Sequence, residues 1–230
     1  MTKLAIIHTT PATVESLKAL VVELLPGCAL NNFVDDSILP QLAQNGGNLT
    51  EVEDRLVHYA RFAEQVGADA ILEACSSVSE LVANMRAAVS IPVVRIDEAM
   101  AEEAVRRGSR LGVAATLATT LQPTARLLRA KAQAAGAQVE ITPVLVEGAY
   151  QKLMAGDRDG HDNLLVEKLG ELAQVTDAVV LAQASMARVL PRLSASERDK
   201  FLVSPRLAME QVKKIIFELS PSSPQRGKQA

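Results

Sequence analysis

Two apolar runs 108 residues apart carry one pattern, and that repeat limits the chain to folds that are built twice. Ala68-Asp69-Ala70-Ile71-Leu72-Glu73-Ala74-Cys75-Ser76-Ser77 lies over Thr176-Asp177-Ala178-Val179-Val180-Leu181-Ala182-Gln183-Ala184-Ser185, with Asp69 on Asp177 and Cys75 on Gln183. Ala99-Met100 on Ala208-Met209 gives 109, and His8 on Ala115 or Thr116 gives 107 or 108. Several elements in one order at nearly one offset mark an internal duplication. Each run is short, aliphatic and closed by small polar residues, the pattern of a buried strand.

The segments between these runs read as helices. Helical periodicity spans about Ala12 to Leu25, Thr50 to Val66, Asp97 to Arg107, Pro123 to Ala135, His161 to Leu172 and Ser204 to Leu219. Ser76 or Ser77 would cap the helix through Leu81, Val82 and Met85. Strands alternating with helices predict parallel sheets. Aromatics are only 3% and tryptophan is absent, so the core must be Ala, Val, Leu and Ile, which suits buried parallel strands. The expected fold is α/β: two pseudo-symmetric lobes, each a parallel sheet flanked by helices, with the active site in the cleft between them. The boundaries put residues 1–97 plus 205–219 in one lobe and 98–204 in the other. The Ser/Pro/Gln-rich residues 220–230 read as a mobile tail.

The net charge of −3, with no basic block, gives no nucleic-acid footprint. Two cysteines, Cys28 and Cys75, do not make a disulfide framework. No apolar stretch reaches the length of a membrane span, and the start breaks too early for a signal peptide. The expectation is a cytoplasmic protein without cofactor or metal; the aliphatic helices would allow a homo-oligomer, but no stripe specifies a partner.

Cys75 stands where a strand ends and a helix begins. Ligands of open α/β sheets bind at the carboxyl ends of strands, and a helix start favours thiolate over thiol. The serine and threonine hydroxyls and turn N–H groups around such ends suit a carboxylate.

These residues resemble the aspartate/glutamate/hydantoin racemase superfamily, whose cofactor-independent members are two-lobed with one cysteine per lobe. Ala74-Cys75-Ser76-Ser77 is similar to the first-lobe motif, and Gly112-Val113-Ala114-Ala115-Thr116-Leu117-Ala118-Thr119 to the element that helps hold the substrate carboxylate. Asp177 to Ala187 resembles the second-lobe motif, but Gln183 stands where the family has its second cysteine. A carboxamide has no useful pKa for proton transfer near neutrality. The resemblance implies a racemase- or epimerase-type isomerase acting beside the carboxylate of a small acid. Cys75 is expected as acid/base, with His8 or a bound water as its partner. Thr9, Ser76, Ser77, Thr116, Thr119, Gln183, Ala184 and Ser185 are expected to bind substrate. The alternatives are a single-thiol decarboxylase or lyase, for which one thiol is enough, and a non-catalytic carboxylate sensor.

Overall fold

The computed structural model describes residues 2–219; the tail expected at 220–230 lies outside the described residues. The chain divides into two units, residues 2–96 with 206–219 and residues 97–205.

In the first unit, β1 (Lys3–His8), β2 (Ala29–Val34), β3 (Ala70–Glu73) and β4 (Val93–Arg95) form a parallel sheet in the order β2-β1-β3-β4. The inner strands are those with unbroken aliphatic runs: Leu4 to Ile7 and Ala70 to Leu72 are buried on both faces. Edge strand β2 alternates instead, with Phe33 partly buried against the α3 side and Asn32 and Val34 exposed. Side-chain alternation divides the core. Ala5, Ile7 and Ile71 pack with Val52, Leu56 and Ala60 of α3 (Thr50–Gln65) and Val82 and Met85 of α4 (Val82–Ala88). Leu4, Ile6, Leu72 and Ala74 pack with Leu17 and Val21 of α1 (Val14–Leu24) and with Ala208, Met209 and Val212 of α9 (Ser204–Leu219).

The second unit repeats this order: β5 (Arg110–Ala115), β6 (Glu140–Leu145), β7 (Ala178–Leu181) and β8 (Phe201–Val203) are arranged β6-β5-β7-β8, again parallel. Ile7 pairs with Glu73 in one sheet and Ala114 with Leu181 in the other. The register therefore makes His8 equivalent to Ala115, and Thr9 to Thr116. Helix α5 (Glu98–Arg107) follows β4 in the chain but packs on α6 (Ala118–Ala134) and β7. On the other face α8 (Arg158–Val175) buries Leu165, Leu169 and Leu172 against Ala114, Val179 and Leu181.

The helices differ from expectation in four places. Two short ones, α2 (Ile38–Gln44) and α7 (Ala149–Met154), occupy stretches where the sequence pattern gave no helix, because neither shows more than two turns of periodicity. Helix α6 starts at Ala118 rather than near Pro123; a proline this close to the helix start removes one hydrogen bond at an exposed end. Ser76 and Ser77 do not cap a helix. Residues 75–78 form a turn, with the Val78 N–H donating to the Cys75 carbonyl at 3.1 Å, and a 3₁₀ turn, Ser79–Leu81, precedes α4.

Candidate active site

Cys75 sits two residues past the end of β3 and is half-buried. It packs on the α3/α4 side of its sheet, the face that Glu73 and Ile71 share with it by two-residue alternation. Burial, reinforced by the negative charge of Glu73, pushes the thiol up from 9.0 to about 11. The Thr9 hydroxyl and the N–H groups of Ser77 and Val78 approach the sulfur and pull the other way, favouring thiolate. Thr9 is 2% exposed, and its hydroxyl has no hydrogen-bond partner among the described residues.

Glu73, which sequence reasoning passed over, is the unexpected member. It is completely buried, accepts the N–H of Cys75 at 2.6 Å and accepts the Ser79 hydroxyl at 2.5 Å. The same hydroxyl reaches the Cys75 carbonyl at 3.1 Å. A carboxylate inside an aliphatic strand is an anomaly that the sequence does display, because buried charge is costly unless it has a task or a partner.

His8 does not join Cys75. Adjacent strand residues point to opposite faces; Thr9 goes to the thiol and His8 to the α1/α9 side, where Leu4 and Ile6 are buried. Both ring nitrogens are engaged, Nδ1 with Thr13 Oγ1 at 2.8 Å and Nε2 with Asn32 Oδ1 at 2.9 Å. Desolvation lowers its pKa, opposed by the Asn32 bond. The expected proton partner is a buried neutral imidazole with no free nitrogen, because its strand parity is wrong for the thiol. A groove of about 620 Å³ opens on this α1/β2 side, lined by Val14, Lys18, Cys28 and Asn32 among others, and Cys75 takes no part in it.

In the second unit Gln183 follows β7 as Cys75 follows β3. Its Oε1 accepts the N–H of Thr116 at 2.6 Å and the Thr116 hydroxyl at 3.0 Å. Two donors converging on one atom identify it as the oxygen, so the amide NH₂ is the end left to donate. Thr116 was expected to hold a carboxylate directly; with both of its donors on Gln183, it orients the amide instead. Thr119 is exposed in the first turn of α6, where N–H groups lack partners within the helix. Ser76 and Ser77 are half-buried in the Cys75 turn; Ala184 is half-buried and Ser185 exposed in the 3₁₀ helix Ala184–Arg192.

Asp35, at the end of β2, accepts from Tyr59 and Arg55, both at 3.0 Å, and from Ser37. Burial opposes ionisation, but these bonds hold its carboxyl below the usual carboxylate range. It ties α2 to α3. Among the described residues no group of three His, Cys, Asp or Glu could hold a metal ion, and no helix is long and apolar enough to cross a membrane.

The fold is that of solved racemase structures. An aspartate racemase from Picrophilus torridus superposes with a TM-score of 0.72 at 11% identity, covering 94% of each chain. A glutamate racemase from Bacillus anthracis gives 0.71 at 14% identity, covering 94% of this chain and 81% of the other. An allantoin racemase from Klebsiella pneumoniae gives 0.68 at 18%, covering 94% and 88%. No curated protein matches the sequence. The sequence profile of the family described as Asp/Glu/Hydantoin racemase matches residues 5–212, which takes in both sheets and the turns that carry Cys75 and Gln183, and the chain belongs to that family.

Proposed function

We propose that this protein is a cofactor-independent, racemase-type isomerase acting at the carbon next to the carboxylate of a small acid, with Cys75 as the acid/base group. The observation that carries the reading is the setting of Cys75: a thiol at the carboxyl end of an inner parallel strand, with one hydroxyl and two turn N–H groups directed at its sulfur. With a pKa of about 11 the resting group is a thiol, able to give a proton to a carbanion. In the reverse direction it takes the proton as a thiolate, which Thr9 and the N–H groups of Ser77 and Val78 stabilise. The hydroxyls and N–H groups of Ser76 and Ser77, in the same turn, supply further donors for a carboxylate and for the enediolate that develops beside it. With both nitrogens of His8 engaged, the second proton carrier in this reading is a bound water.

The test is hydrogen–deuterium exchange at the α-carbon of a panel of small carboxylic acids in D₂O, followed by NMR. Exchange is expected with the native protein and is expected to vanish in Cys75→Ala. Exchange that survives Cys75→Ala unchanged removes the proposal. A second reading, a decarboxylase or lyase that protonates a carbanion from Cys75, is favoured by the resting thiol and by the carboxamide at position 183. A single product enantiomer identifies it; a racemate identifies the isomerase.

A further inference from the structure

The repeat provides an internal control for the surroundings of Cys75. Glu73 has Leu181 as its equivalent, since Ile7 pairs with Glu73 as Ala114 pairs with Leu181. Counting on from these positions, Ser79 is matched by Ala187, as Cys75 is by Gln183. Leu181 is an ordinary core residue, 1% exposed among aliphatic neighbours. The strand and turn thus form without a carboxylate or a hydroxyl at these places. Both polar groups are present only in the unit that carries the thiol, and they bond to each other and to the Cys75 backbone on both sides of its Cα.

We propose that Glu73 and Ser79 form a positioning pair for Cys75: the buried carboxylate fixes the turn from which the thiol projects, and its charge opposes a second negative charge on the sulfur. The proposal rests on the acid/base reading of Cys75 given above and adds a direction to it. The pair holds the resting cysteine as a proton donor. Glu73 is the charged group acting on the thiol; Arg95 of β4 stands opposite it in register. Thr9 and the N–H groups of Ser77 and Val78 are neutral. Helices α3 and α4 present Val52, Leu56, Val82 and Met85 to this face.

The experiment reads the thiol directly and needs no substrate, so its outcome is separate from that of the exchange test. Alkylation of Cys75 by iodoacetamide is followed against pH in the full chain, with the Cys75 peptide distinguished from the Cys28 peptide by mass spectrometry. In Glu73→Gln, which keeps the volume and removes the charge, the midpoint is expected to fall by about one pH unit, a tenfold rise in thiolate fraction below it. The double variant Glu73→Leu/Ser79→Ala copies the Leu181 and Ala187 of the second unit; it is expected to melt cooperatively and to be alkylated at lower pH than the native chain. An unchanged midpoint in either folded variant overturns the proposal. Failure of both variants to fold also overturns it, because the pair would then be a requirement of the fold rather than a device for the thiol.

Discussion

Cys75 and His8 are both polar residues at strand ends, and the opposite faces to which they project separate their roles. Thr13 and Asn32 bond to the two nitrogens of His8, and its imidazole is buried. Truncating it leaves a cavity and removes both ring hydrogen bonds, so His8→Ala is expected to lose about 2–4 kcal/mol of stability in denaturant titration. The pKa is lowered from 6.5, so the unfolded chain takes up this proton before the folded one does. The contribution is fully present above pH 6.5 and is lost as pH falls through the lower folded value. Stability curves at pH 7.5 and pH 5 are therefore expected to converge further in His8→Ala than in the native chain; an unaltered acid slope would mean the imidazole is not buried neutral. The place of Cys75 just past the end of a buried strand was legible in the sequence from the aliphatic run before it. The partner assigned to it was not, because proximity along the chain says nothing about which face a strand residue takes until the register is known. Glu73 was legible as an anomaly, and its meaning needed the bonds to Cys75 and Ser79.

At the scale of the element, the inner strands depend on how closely helices approach them. Gly112 of β5 lies under Leu172 of α8, and a methyl group there would meet the Leu172 Cγ at 2.7 Å. This is a branch point inside a packed helix rather than a free chain end. Gly112→Ala is expected to destabilise the second unit by about 1–3 kcal/mol through overpacking, visible as a lower denaturant midpoint with an unchanged slope. A change near zero would show that α8 can shift outward at little cost. Long, periodic elements such as α3 and α8 were legible from the pattern of apolar residues alone. The short α2 and α7, and the turn that replaces a serine-capped helix after Cys75, were not. Their energetics are tertiary: Ile38 and Leu42 form a helix because the α3 face is there to bury them.

At the scale of the molecule, the duplicated units differ in how they are completed. The second is continuous in sequence, from α5 through β8, with its own core of Leu165, Leu169, Val179 and Met186. The first needs Ala208, Met209 and Val212 of α9, which come from the far end of the chain. A fragment of residues 97–205 is accordingly expected to fold alone and melt cooperatively by circular dichroism, whereas residues 1–96 without α9 should not. Cooperative melting of residues 1–96 would show α9 to be dispensable. The amino-acid sequence by itself determined the duplication, the parallel α/β character and the family, because aliphatic periodicity and strand-end motifs are local properties that recur at a fixed spacing. Only the tertiary structure decided that Thr9 rather than His8 meets the thiol, that Thr116 orients Gln183, and that a buried carboxylate lies beneath Cys75. These depend on register and on side-chain parity, which pairing between distant strands sets and which no single stretch of the chain contains.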